Sequence, residues 1–197
     1  MRNVGAIILA AGGSSRFGQA KQLLSFQGES LVRRAVRTAM KAGCACVTVV
    51  VGDSRARIEN ELRETPAVIV ENQEWQRGLG TSIRCGIRHL LSLRPELDAV
   101  VLLACDQPFV NASVITSLVA QRENSRKPIV ACSYANTLGI PALFDRACFE
   151  SLLALPDDSG AKTLIESRSA DVAQIEFEKG AIDIDTPADF EQIKTGG

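Results

Sequence analysis

Gly5-Ala6-Ile7-Ile8-Leu9-Ala10-Ala11-Gly12-Gly13-Ser14-Ser15-Arg16-Phe17-Gly18-Gln19-Ala20-Lys21 joins an apolar run directly to a glycine-rich loop carrying two cations. The run from Gly5 to Ala10 is short and aliphatic, which predicts a parallel β-strand covered on both faces. The glycines that follow permit positive φ and close backbone approach. Consecutive N–H groups can then converge on an anion, and Arg16 and Lys21 bring positive charge to the same place. The segment predicts an α/β fold that binds phosphate beyond the carboxyl end of its first strand.

Two familiar phosphate loops do not fit. A Walker A loop needs Lys-Ser or Lys-Thr after its last glycine, whereas Gln19 and Ala20 follow Gly18. The dinucleotide fingerprint needs glycine at 13, 15 and 18, and position 15 is serine, a side chain where pyrophosphate needs open backbone.

Outward from this loop, Cys46 to Val51, Val68 to Glu71, Ala99 to Cys105 and Pro128 to Cys132 also read as buried strands. Helical spacing separates them. Leu31, Val32, Ala35, Val36, Ala39 and Met40 make one apolar face, and Arg33, Arg34, Arg37 and Lys41 a solvated one. The spacing recurs at Ile58 and Leu62, at Ile83, Ile87, Leu90 and Leu91, and at Val114, Ile115, Leu118 and Val119, where Asn111 is a suitable N-cap. Strands alternating with helices predict a mostly parallel sheet, with the loop at 11–21, residues 72–82 and Asp106 meeting in one crevice. After Val130 the pattern changes to a turn or hairpin at Tyr134 to Gly139 and a further strand at Ile140 to Phe144, where a substrate lobe can be added. Thr186, Pro187 and Asp189 suit the cap, first position and first turn of a final helix. No linker, repeat or low-complexity stretch interrupts residues 1–197, which read as one domain.

Composition narrows the functional classes. With 46% hydrophobic residues the chain can build a sizeable core, and a net charge of −1 does not favour a broad surface for nucleic acid or anionic membrane. No apolar run is long enough to span a membrane, and Ile7 to Ala11 is too short for a signal peptide, so a cytoplasmic location is expected. The six cysteines form no CxxC pair and read as reduced core thiols rather than zinc ligands. The single histidine, His89, reads as a surface or helix-end residue.

Four places can carry chemistry. Asp106 follows the most apolar strand and suits a hard-cation ligand facing a phosphate loop, or a turn aspartate before Gln107-Pro108. Asp183 and Asp185 would share a side if on a strand and could complete that metal site, or they could belong to simple helix capping. Gly78-Leu79-Gly80-Thr81-Ser82 precedes a helix and suits contact with a base or ribose, or a capped flexible loop. Gly160-Ala161-Lys162 offers either a second cationic site or a helix start.

Taken together, LAAGGSSRFGQAKQLL at 9–24, GLGTSIRCGI at 78–87, LLACDQPFV at 102–110, GIPALF at 139–144, DSGAKTLI at 158–165 and DIDTPADF at 183–190 resemble the molybdenum cofactor cytidylyltransferase type of nucleotidyltransferase. The resemblance spans nearly the whole chain. The first motif is shared with guanylyltransferases and sugar nucleotidyltransferases, and the later ones narrow it towards the cytidylyl branch. The resemblance implies a Rossmann-like three-layer α/β/α sandwich of the nucleotide-diphosphosugar transferase type. It implies that Ala10, Ala11, Gly12, Gly13 and Ser14 hold the nucleotide's triphosphate, that Arg16 and Lys21 neutralise it, and that Asp106 and Asp185 hold Mg²⁺. Gly78, Gly80 and Ser82 would then face base and ribose, and Gly139, Pro141 and Lys162 the acceptor. Phe17 stands where methionine is common in the family, and Lys162 where arginine is frequent, which removes bidentate phosphate recognition there.

The reaction so implied moves CMP from CTP to a molybdopterin acceptor with release of pyrophosphate, and the product can pass to a molybdoenzyme or its chaperone. The alternatives are a related enzyme using another NTP or a phosphorylated small-molecule or sugar acceptor, a nucleotide-binding, cofactor-handling module without turnover, and an NAD-dependent oxidoreductase.

Overall fold

The computed structural model describes residues 3–12 and 20–195. Strand β1 (Val4–Ala10) is an interior strand of a seven-stranded sheet, and every one of its residues is buried. Its alternation explains why the run is continuously apolar. Val4, Ala6, Ile8 and Ala10 face one hydrophobic cluster, while Ile7 and Leu9 face another.

The remaining strands of the sheet are β4 (Cys46–Val51), β5 (Val68–Glu71), β6 (Ala99–Ala104), β7 (Ile129–Tyr134), β8 (Thr137–Asp145) and β9 (Val172–Glu176). A two-stranded hairpin, β2 (Ser25–Phe26) and β3 (Glu29–Ser30), stands apart from them. The order is β5-β4-β1-β6-β8-β7-β9, with β8 antiparallel to both neighbours and the other pairings parallel. On one face pack α1 (Leu31–Lys41), α2 (Arg55–Leu62) and α4 (Ala112–Ser125). The other carries α3 (Leu79–Leu93), α5 (Phe149–Leu153) and α6 (Ala161–Ser167). The result is the three-layer, mostly parallel α/β/α sandwich expected from the sequence.

Local chemistry accounts for several boundaries. Asn111 caps α4 by accepting from the Val114 N–H, and α7 (Pro187–Thr195) begins in a reciprocal capping box. There the Thr186 hydroxyl accepts from the Asp189 N–H at 3.2 Å, and Asp189 Oδ2 accepts from the Thr186 N–H at 2.8 Å. On α1 the basic face is ion-paired, Arg33 with Glu61 and Arg37 with Glu29, as a solvated face should be. Met40 is turned outward, and Thr38 takes the buried position expected for it.

Other boundaries differ from the sequence expectation. Strand β6 ends at Ala104 rather than Cys105, and the strand expected at 128–132 begins at Ile129 and continues to Tyr134. Strand β9, the β2–β3 hairpin and α5 escape sequence reading because they are short and only partly apolar. The hairpin matters to the site. Leu24 and Phe26 pack with Leu31, Ile184 and Phe190 in a third small core that anchors the segment before α7.

Cys44, Cys105, Cys132 and Cys148 are buried and Cys46 and Cys85 half-buried, and burial raises the pKa of each thiol. His89 lies half-buried within α3 rather than at its end, and its Nε2 has no hydrogen-bond partner among the described residues. Among those residues, no helix is long and apolar enough to cross a membrane.

Candidate active site

A cleft of about 330 Å³ opens at the carboxyl ends of β1 and β6. Ala10, Ala11 and Gly12 line it from the end of β1, and Cys105, Asp106 and Gln107 from the end of β6. Leu79 and Ser82 of α3, Tyr134 and Ile140 of the β7–β8 hairpin, and Asp183 and Asp185 complete the wall. This is the crevice that parallel sheets offer to ligands, because side chains from successive loops converge where the strands end.

Lys21 crosses the cleft. Its ammonium donates to Asp106 Oδ2 at 2.6 Å, to Asp185 Oδ1 at 3.1 Å and to the Ile184 carbonyl at 3.3 Å. The Lys21 and Asp106 side chains are 13% and 20% exposed and Asp185 is 57% exposed, so Asp185 is the outer carboxylate. Burial works to lower the Lys21 pKa, but the Asp106 charge and the hydrogen bonds to both aspartates more than offset it, leaving the ammonium firmly charged. The convergence has a backbone cause, since the Ile184 N–H donates to the Asp106 carbonyl at 3.0 Å and the Ile184 side chain is fully buried.

Asp183 and Asp185 do not lie on a regular strand, yet both line the cleft, on either side of buried Ile184. Burial of the Asp183 carboxyl, then the nearby charges of Asp106 and Asp185, push its pKa up to about 6. Hydrogen bonding from Gln107 and the charge of Lys21 oppose that shift. Three carboxyl groups therefore crowd one end of the cleft.

Two glutamines, overlooked in the sequence, shape the cleft. Gln22 is buried, and its Nε2 donates to the carbonyls of Ala10 at 2.8 Å and Gly12 at 3.0 Å, holding the turn after β1. Gln107 is buried too, and its Nε2 donates to the carbonyls of Ile140 and Gly180, tying β8 and the chain before Asp183 to the residue after Asp106. Glutamine beside a charged motif carries no periodic signal; its position next to Lys21 and Asp106 was the available hint.

The structure redistributes several expected contacts. Among the described residues, a Cβ at Gly12 would meet nothing within 4 Å. Gly78 and Gly80 are different: a Cβ at Gly78 would lie 2.3 Å from the Asp157 carbonyl oxygen, and one at Gly80 1.9 Å from that of Pro156. Their close approach is to the chain's own 156–158 segment, against which the Gly80 N–H donates to Asp157 O at 2.9 Å. Leu79 and Ser82 of that motif face the cleft instead. Likewise Gly139 and Pro141 are buried in β8, and Ile140 between them lines the cleft. Lys162 is exposed at the start of α6 with Glu166 at 3.8 Å and is not part of the cleft wall. Gly13, Ser14 and Arg16 lie outside the described residues.

Among the described residues no group of three or more His, Cys, Asp or Glu side chains forms a complete metal cage. Asp106 and Asp185 instead provide hard oxygen donors in the cleft lined by Ala10, Ala11 and Gly12, a set suited to a cation that completes its shell with phosphate oxygens and water.

Residues 6–172 match the model of the MobA-like NTP transferase domain. The purine catabolism protein PucB of Bacillus subtilis is 27% identical, with 95% of this chain and 94% of the relative covered. The nicotine blue oxidoreductase of Paenarthrobacter nicotinovorans is 26% identical over 93% of this chain and 92% of its own length. The molybdenum cofactor cytidylyltransferase of Escherichia coli is 22% identical over 96% and 95% respectively. Among solved structures, Rv0371c of Mycobacterium tuberculosis superposes with a TM-score of 0.85 at 25% identity, covering 98% of each chain. The same protein has been solved in complex with manganese, at a TM-score of 0.82 and 23% identity over 99% of this chain and 100% of that one.

Proposed function

We propose, on the premise that this chain belongs to the MobA-like NTP transferase family, that it transfers CMP from CTP to the terminal phosphate of a molybdopterin-type acceptor. The chain is a nucleotidyltransferase, and a nucleoside triphosphate is its donor. The choice of CTP and of the acceptor is supported by the motifs at 78–87, 102–110 and 183–190 and by similarity to the E. coli cytidylyltransferase over most of both chains. The reading treats residues 1–197 as one catalytic domain.

The observation that carries the chemistry is the meeting of Lys21 with Asp106 and Asp185 in the cleft that Ala10, Ala11 and Gly12 line. In the proposed reaction an oxygen of the acceptor phosphate attacks the α-phosphorus of CTP. A new phosphoanhydride bond forms as the bond to the β-phosphate oxygen breaks, and pyrophosphate leaves with the electron pair. The attacking phosphate is already ionised near neutral pH, so no general base is required and His89 has no part.

Backbone N–H groups of the turn after β1 orient the triphosphate, and Lys21 and Arg16 offset its charge. Asp106 and Asp185 would hold Mg²⁺, which when bound supplies charge neutralisation at the phosphate oxygens. Gln22 braces the turn by donating to the Ala10 and Gly12 carbonyls. The product is a cytidine dinucleotide form of the cofactor, available for handover to a molybdoenzyme or its chaperone.

Pyrophosphate release measured with Mg²⁺, molybdopterin and each NTP in turn tests this reading. Release with CTP above the other nucleotides is expected. Preference for GTP or another NTP would overturn the cytidylyl assignment, and release only with a different phosphorylated acceptor would overturn the molybdopterin assignment. Nucleotide binding without any release would favour a binding module.

A further inference from the structure

Asn72 lies just beyond β5, 5% exposed, and its side-chain amide is fixed in one orientation. Its Oδ1 accepts from the Glu74 N–H at 3.0 Å, so the amide's donor end faces α3. From there Nδ2 donates to Thr81 Oγ1 at 2.8 Å and to Ser82 Oγ at 3.0 Å. Both hydroxyls are thereby made acceptors towards Asn72, and each has one proton left to give.

The two hydroxyls use that proton differently. Thr81 donates to the carbonyls of Gly78 at 2.7 Å and Glu74 at 3.1 Å, which closes its hydrogen bonding within the loop. Ser82, 3% exposed and part of the cleft wall, has no acceptor for its proton among the described residues. A buried hydroxyl with an unused proton is costly unless a ligand completes it.

We propose that Asn72 is a positioning residue that fixes Ser82 as a hydrogen-bond donor, aimed at an acceptor atom on the base or ribose of the bound nucleotide. The inference rests on the reading of the cleft as a nucleoside triphosphate site. It adds a polarity that composition cannot encode: the Glu74 N–H sets the amide, the amide sets the hydroxyl, and the hydroxyl selects for a lone pair on the ligand. Asn72→Asp reverses the relay, because a carboxylate can only accept and turns the Ser82 proton away from the cleft.

The test is a double-mutant cycle on full-length protein with Mg²⁺, measuring the Kd of CTP, GTP, ATP and UTP and of inorganic triphosphate for wild type, Asn72→Asp, Ser82→Ala and the double variant. Each single variant is expected to weaken the preferred nucleotide about tenfold, the scale of one hydrogen bond, and to leave inorganic triphosphate unchanged. The double variant is expected to match Ser82→Ala, since Asn72 acts through Ser82. Equal loss for inorganic triphosphate would show a merely structural role and overturn the proposal, as would additive losses in the double variant. Asn72→Gln and circular dichroism separate misfolding from altered polarity, and loss of fold in every Asn72 variant would also reject the relay. If wild type prefers an NTP other than CTP, the cytidylyl reading fails while the cycle still decides the relay on that nucleotide. If no NTP binds more tightly than inorganic triphosphate, both fail.

Discussion

The Lys21 ammonium lies 2.6 Å from the inner carboxylate of Asp106, joining two residues 85 positions apart across the carboxyl ends of neighbouring strands. One nitrogen thereby serves both Asp106 and Asp185, and the same three groups line one cleft with Ala10, Ala11 and Gly12 after β1. Under the proposed function, this charge receives an incoming polyanion and its cation.

Asp106→Ala is expected to abolish transfer, a loss of about a hundredfold or more given the usual weight of such electrostatic contacts. Pyrophosphate release across a Mg²⁺ titration measures it. Full activity in this variant at ordinary Mg²⁺ would sink the metal assignment.

Asp183 gives the ligand-free protein a distinct pH response. Its folded pKa, pushed up to about 6, lies above the ordinary 3.8, so the folded state holds a proton that the unfolded chain has released between those values. Stability is therefore expected to fall as pH rises from 3.8 to about 6 and then to level off. Asp183→Asn should remove the fall and raise stability above pH 6 by about 1 kcal/mol, a figure discounted because the residue remains in contact with solvent. Denaturant titrations at pH 4 and pH 7 check this, and an equal effect at both pH values would contradict it.

Gln22→Ala leaves the Ala10 and Gly12 carbonyls without their shared donor, which is expected to cost about 1–3 kcal/mol of stability and to weaken nucleotide binding. Gln22→Glu should be no better, because an ionised carboxylate offers these carbonyls no proton. Chemical denaturation and KM for the nucleotide are the measurements, and a variant unchanged in both would show that the turn needs no such brace.

Gly80→Ala places a methyl group where the Pro156 carbonyl oxygen lies 1.9 Å away. The 156–158 segment must move, at a cost of about 3 kcal/mol or more. Thermal unfolding reads the loss. A neutral substitution would show that the contact between the start of α3 and this segment is loose.

What could be read from residue order was whatever repeats or charges itself locally. The aliphatic runs of β1, β4 and β6 declared buried parallel strands, the 3.6-residue spacing declared the helices over them, and Thr186-Pro187-Ala188-Asp189 declared a helix start that forms as a capping box. Lys21 and Asp106 stood out because a cation in a glycine loop and a carboxylate after an apolar strand are unusual neighbours of a core. Residue order alone thus determined a mostly parallel α/β sheet and pointed to the carboxyl ends of its strands, while the resemblance of the motifs to nucleotidyltransferases implied the layered class and the type of reaction. Tertiary structure decided which residues meet. Gly78 and Gly80 pack against the 156–158 backbone, Ile140 is the residue of the 139–141 segment that lines the cleft, and Lys162 pairs outward with Glu166. It also chose Gln22, Gln107 and Asn72 as the holders of the cleft, and set Asp183 and Asp185 about a buried Ile184. The physical reason is that hydrogen bonding and desolvation depend on distances across the sheet, between segments remote in the chain, and local periodicity carries no record of them.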